Sequence, residues 1–150
     1  MTAWRLGYLL LSDLGDQQYL ESLRAEPAAA GRLYRDAIEA LLQMQSRGRE
    51  FQSRLPPFDT DYMHSELALF RDWLCREKCG LSFSSDDDND WRATCATLIE
   101  NANGQPAVFV HRDFHSRNLM VTAQDNPGVL DFQDAMEGPL TYDLVSLLKD

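Results

Sequence analysis

The chain has 150 residues and a net charge of −10, from 24 Asp and Glu against 14 Lys and Arg. That length is enough for one domain with a real core, and the acidic balance argues against a phosphate-backbone footprint and so against nucleic acid as a partner. No run of about 20 uninterrupted apolar residues occurs, which excludes a membrane-spanning helix. The N-terminus lacks the charged region, apolar run and cleavage site of a signal peptide, so a cytoplasmic location is expected.

Leu6-Gly7-Tyr8-Leu9-Leu10-Leu11 predicts a short buried strand, closed by a turn at Ser12-Asp13-Leu14-Gly15. From Asp16 the pattern becomes helical, with Tyr19, Leu20 and Leu23 on one face, and it stops before Pro27. A longer amphipathic helix is expected over residues 31–47, with Leu33, Ile38, Leu41, Leu42 and Met44 apolar and Gly48 ending it. Leu55-Pro56-Pro57-Phe58 reads as a loop. Asp59 or Thr60 then caps a helix carrying Met63, Leu67, Phe70, Trp73 and Leu74, stopped by Gly80.

The acidic run Asp86-Asp87-Asp88-Asn89-Asp90 lacks the spacing and central Gly of a calcium loop; it reads as a solvated loop leading into a helix over residues 88–101. That helix has Trp91, Cys95, Leu98 and Ile99 inward. Beyond a turn at Asn103-Gly104-Gln105-Pro106, three short buried strands are expected, at residues 107–110, 119–121 and 128–132. Asp125-Asn126-Pro127-Gly128 forms the turn between the last two. A final helix begins near Thr141 and runs to Asp150, where no cap, Gly or Pro follows; a chain truncated at both ends is expected. Cys75, Cys79 and Cys95 complete no zinc set and read as reduced, buried small side chains. Trp4, Trp73 and Trp91 read as core or interface aromatics.

The segment that carries chemistry is His111-Arg112-Asp113-Phe114-His115-Ser116-Arg117-Asn118, followed by Asp131-Phe132-Gln133-Asp134. Phosphoryl transfer to a hydroxyl needs a carboxylate that accepts the hydroxyl proton, and oxygen ligands for the Mg²⁺ that neutralises the phosphates. A carboxylate and an amide five residues apart on one tight loop place a base beside a metal site. A second carboxylate on the next hairpin reaches the same ion from the other side. Asp113, Asn118 and Asp131 fit these three roles. H-R-D alone is a weak signal; joined to Asn118 and to Asp-Phe after a hairpin, it is strong.

These motifs resemble the catalytic loop of the aminoglycoside phosphotransferase/choline kinase family, which shares the protein-kinase fold. His115 stands where Ser/Thr protein kinases generally carry Lys, Gln133 replaces the Gly of Asp-Phe-Gly, and no Ala-Pro-Glu follows. Tyr142-Asp143-Leu144 matches the family's downstream Asp-Leu element. Residues 66–73, 110–121 and 131–135 are similar to the branch of bacterial kinases that phosphorylate the anomeric hydroxyl of N-acetylmuramate and N-acetylglucosamine.

The resemblance implies an α+β fold class: a protein-kinase-like C-terminal lobe, mostly helical, with a small β-hairpin region at the catalytic loop and the N-lobe absent. Residues 1–15 would be the hinge strand and interlobe linker, and 16–150 the C-lobe. It implies ATP and Mg²⁺ as cofactors, a sugar or amino-sugar substrate, and Asp143 as a brace for the loop. Backbone groups of Ser12 and Leu14 would meet adenine; a plain turn is the rival reading there. His111 reads as a structural brace rather than a proton shuttle, and His115 as loop support. Asp134 serves either the metal or loop hydrogen bonding, and Arg117 either a phosphate or the surface. A Gly-rich phosphate loop is missing, and the only lysines are Lys78 and Lys149, neither placed to reach phosphates. The isolated chain is therefore expected to be inactive. The rival functions are an aminoglycoside or choline-type kinase, and a non-catalytic kinase-like fragment that binds a partner.

Overall fold

A computed structural model describes residues 12–150. The expected strand at residues 6–11 lies outside the described residues. The turn after it is present: Asp13 Oδ1 accepts from the Gly15 N–H at 2.9 Å, and Gly15 takes φ +77°, where a side chain would be strained.

Helix α1 (Tyr19–Ala25) ends just before Pro27, because the residue preceding a proline is pushed out of the helical region. One 3₁₀ turn leads into α2 (Ala30–Arg47), close to the expected bounds. Leu33, Ala37, Leu41 and Gln45 make its buried stripe at a strict four-residue spacing. Leu42 falls on the opposite side and is exposed. Gln45, polar yet buried, donates from Nε2 to the Leu140 carbonyl at 3.0 Å and so ties α2 to the far end of the chain.

Helix α3 (Thr60–Ala68) is capped by Asp59, whose side chain accepts from the Tyr62 N–H. It passes directly into a π-helix, Leu69–Lys78, and Gly80 at φ +65° ends the run. The sequence reading assumed one α-helical face through Trp73 and Leu74. In the wider helix each residue turns through a smaller angle, so that face drifts outward. Phe70 and Trp73 are consequently exposed, and Cys75 is the buried residue of that stretch. Cys79 is also exposed, contrary to its reading as a buried side chain.

Helix α4 (Ser85–Asn103) begins earlier than expected. Ser84 and Asp87 form a reciprocal capping box, and Asp86, Asp87 and Asp88 lie in the first turn, where carboxylates meet the positive end of the helix dipole. The acidic run is thus the start of a helix and not a loop before it. Asp88 also pairs with Arg71, joining α4 to the π-helix.

Strand β1 (Ala107–Val110) pairs antiparallel with β4 (Met136–Pro139), Ala107 opposite Pro139 and Val110 opposite Met136. A second small sheet pairs β2 (Leu119–Met120) with β3 (Gly128–Val129). The chain ends in α5 (Tyr142–Lys149). Pairing stops at Val129, short of the expected Phe132, because Asp131 turns to φ +65°. Strand β4 was not expected. Its Met-Glu-Gly-Pro sequence has little strand propensity and gains order from partners on both sides: β1, and residues 56–58, where Glu137 exchanges backbone bonds with Pro56 and Phe58. Gly138 allows that approach, since a Cβ there would lie 2.9 Å from the Phe58 Cβ.

Two cores lie around the His111–Asn118 loop. One gathers Tyr19, Leu33, Ala37, Leu41, Phe114, Leu119 and Leu147. The other gathers Phe58, Met63, Ile99 and Met136, with Tyr62 and Tyr142 against the Phe58 ring. No helix among the described residues is long and apolar enough to cross a membrane.

Candidate active site

The loop from His111 to Asn118 leaves β1 and enters β2. Its alternation of buried and open positions is sharp: His111, Phe114 and Ser116 are buried, and Asp113 and Arg117 are exposed. Phe114 anchors the loop in the first core and meets the His111 ring edge-on at 5.9 Å. Arg112 takes φ +78°, a left-handed conformation that a branched or bulky residue adopts only when its surroundings hold it there.

Asp143 provides that hold. Its Oδ2 accepts from the His111 N–H at 2.7 Å and its Oδ1 from the Arg112 N–H at 2.9 Å. Asp143 thus ties the backbone of His111 and Arg112 to α5. The Arg112 guanidinium lies over the Tyr62 ring and 3.8 Å from Glu66, which the sequence reading did not pair with it.

Asp143 is fully buried, and burial pushes its carboxyl up to about 6, against the pull of its two amide partners. Its pKa is thus higher in the folded than in the unfolded chain, so folding takes up a proton. The stabilisation is complete below the unfolded value of 3.8 and is lost as pH rises through about 6. In the full-length protein, the stability gap between wild type and Asp143→Ala should narrow by about 1–2 kcal/mol from about pH 5 to pH 7.5. Denaturant titrations at the two pH values check this; a gap that widens with pH would show the charged form to be the favoured one.

Asn118 closes the other end of the loop. Its Nδ2 donates to the Asp113 carbonyl at 3.0 Å, its N–H donates to the His115 carbonyl, and its own carbonyl accepts from the Leu130 N–H at 2.9 Å. The last bond fastens the loop next to Asp131. Asp131 is exposed and accepts from Gln133 Nε2 through Oδ1 at 2.6 Å. Burial lowers the His111 pKa, while the Leu130 backbone and the carboxylates of Asp113 and Asp131 pull it the other way. Among the described residues neither ring nitrogen meets a partner in hydrogen-bond geometry, so the pull from Leu130 is one of proximity.

The donor set suits a hard cation. The Asn118 amide turns its Nδ2 inward, leaving Oδ1 available, and Asp131 keeps Oδ2 beyond the Gln133 bond. Among the described residues no group of three or more His, Cys, Asp or Glu converges as a cage. An ion at Asn118 and Asp131 would thus share its remaining positions with phosphate and water, the usual habit of Mg²⁺.

The other expected residues lie around this centre. His115 is half-buried, with Nδ1 lacking a partner among the described residues. Asp134 is exposed and lines an open cleft of about 510 Å³ together with Pro57, Tyr62, Arg112 and Gln133. Ser12 is exposed; Leu14 packs over β3, where a Cβ on Gly128 would fall 2.9 Å from its Cδ1. Arg117 turns toward Asp150, 3.4 Å away.

A family model for phosphotransferases matches residues 3–150. The chain belongs to the phosphotransferase enzyme family. It is 44% identical over 144 residues to the N-acetylmuramate/N-acetylglucosamine kinase of Pseudomonas aeruginosa, covering 96% of this chain and 41% of that protein. The protein of that name from Pseudomonas putida gives the same figures. The one from Neisseria meningitidis is 41% identical over 147 residues, covering 97% of this chain and 43% of its own. The chain spans about two-fifths of the length of these curated relatives. Its fold, mostly helical with small antiparallel sheets, is in keeping with the C-terminal lobe of this kinase-like family.

Proposed function

We propose that the protein containing this chain transfers the γ-phosphoryl group of ATP to the anomeric hydroxyl of N-acetylmuramate or N-acetylglucosamine, and that these residues form its C-terminal lobe. The observation that carries the reading is the Asp113–Asn118–Asp131 grouping on a loop lashed to Asp131's own segment by the Leu130–Asn118 bond. The names of relatives more than 40% identical over nearly the whole chain support the choice of sugar. ATP as donor places the reaction in the cytoplasm.

In this reading Asp113, exposed at the loop's crest, orients the sugar hydroxyl and accepts its proton as the oxygen attacks. An anomeric hydroxyl is more acidic than an ordinary alcohol, so a carboxylate is a sufficient base. Asn118 Oδ1 and Asp131 would hold Mg²⁺, which when bound neutralises charge on the phosphates and aligns the donor. Asp143 fixes the backbone from which Asp113 projects. Buried His111 and half-buried His115 support the loop from beneath, Asp134 adds to metal or loop hydrogen bonding, and backbone groups at Ser12 and Leu14 meet the adenine.

The test is ADP release by the full-length protein with N-acetylmuramate, N-acetylglucosamine, an aminoglycoside and choline. Turnover of the amino sugars well above the other two is expected. Turnover confined to the aminoglycoside or choline would move the substrate class, and none with any acceptor would favour a non-catalytic binding role.

A further inference from the structure

Asp150 lies seven residues beyond Asp143, two turns along α5 and so on the same face, about 10 Å further on. Its Oδ2 accepts from the Ser116 N–H at 2.8 Å and from the Ser116 hydroxyl, and its Oδ1 lies 3.4 Å from the Arg117 guanidinium. Ser116 is itself buried, and its carbonyl accepts from the Leu20 N–H in α1. Between the two carboxylates on this face sits Leu147, in the same core as Phe114. Loop and helix therefore match position for position: amides of His111 and Arg112 against Asp143, the Phe114 ring in the core with Leu147, and Ser116 against Asp150.

Partial burial works against the Asp150 charge, yet the Ser116 donors, Arg117 and His115 together hold its carboxyl below the usual range. The loop donors thus outweigh the cost of burial. A surface carboxylate with no task would not need two bonds to one buried serine.

We propose that Asp150 is a positioning residue of the phosphotransfer reaction: with Asp143 it makes α5 a two-point clamp that sets the spacing between Asp113 and Asn118. Asp150 touches neither sugar nor nucleotide and acts through Ser116, two residues before Asn118. The proposal rests on the reading of this segment as the catalytic loop.

The test uses the full-length protein with N-acetylmuramate, ATP and Mg²⁺. Asp150→Ala should lower kcat by about 10–100-fold, the effect of losing charge-assisted bonds to a buried partner, with both KM values within about twofold of wild type. Asp150→Asn, which keeps one acceptor oxygen, should recover part of the loss. Ser116→Ala should cost little more once Asp150 is Ala, since the two act as a unit. Wild-type kcat in folded Asp150→Ala overturns the proposal, as does a raised KM at unchanged kcat, which would mark a substrate contact. Should Asp150→Ala fail to fold, Asp150→Asn decides by the same criteria. Asp113→Asn, run in parallel, separates the two levels: inactive Asp113→Asn beside fully active Asp150→Ala removes the clamp alone. Active Asp113→Asn, or a wild type without turnover, removes the catalytic-loop reading and the clamp with it.

Discussion

Asparagine in place of Asp113 should lower kcat of the full-length protein by about 10²–10⁴-fold, the usual worth of a positioned general base. The substitution keeps the size of the side chain and removes only its ability to take a proton. Asp113 is exposed, and its backbone carbonyl, not its carboxylate, accepts from Asn118 and from the His115 N–H. The loop bonds should therefore survive the change, and the melting temperature should move little. Steady-state kinetics with N-acetylmuramate and ATP, read beside thermal melts, check both parts. A variant with near-wild-type turnover would take Asp113 out of the base role.

The second large effect should come from Asp131→Asn, with a loss of about 10³-fold or more in kcat at ordinary Mg²⁺ concentrations. The magnitude follows from the several kcal/mol that a divalent ion contributes to a phosphoryl transition state. Asn is the informative replacement because Asp131 sits at φ +65°, a conformation that Asn tolerates and alanine does not favour. Strain is thereby removed from the comparison, and what changes is the charge offered to the ion. The Mg²⁺ concentration giving half-maximal rate should rise as well. A rate that falls with no change in Mg²⁺ dependence would place Asp131 elsewhere in the mechanism.

The parts of this fold legible in the sequence are those settled by local chemistry. Pro27 ends α1, the Leu33–Ala37–Leu41 stripe sets α2, Asp59 caps α3, and the loop motif stands between β1 and β2. What escaped depends on partners distant in sequence. Strand β4 is ordered by β1 and by residues 56–58, and its own residues announce nothing. The π-helix is a change of hydrogen-bond spacing that a run of ordinary helix formers does not signal, and it reversed the burial expected for Phe70 and Trp73. The start of α4 precedes the expected one because the acidic run reads as loop charge on its own, although Ser84 with Asp87 three residues on is a readable cap.

The site divides along the same line. The spacing of Asp113, Asn118 and Asp131 in the loop and hairpin singles these three out, and Asp143 enters through the resemblance of Tyr142-Asp143-Leu144 to the family's downstream element. Glu66 and Asp150 were missed because each meets the loop from another helix. For Asp150 a signal did exist: the seven-residue interval from Asp143 places both on one face of a single helix.

The most direct measurement is a crystal structure of the full-length protein with Mg²⁺, an ATP analogue that resists transfer, and N-acetylglucosamine. One ion bound by Asn118 Oδ1 and the Asp131 carboxylate at about 2.0–2.1 Å, with the Asp113 carboxylate facing the sugar hydroxyl, is the predicted result. An ion held without either of those side chains, or Asp113 turned away from the acceptor, would contradict the account.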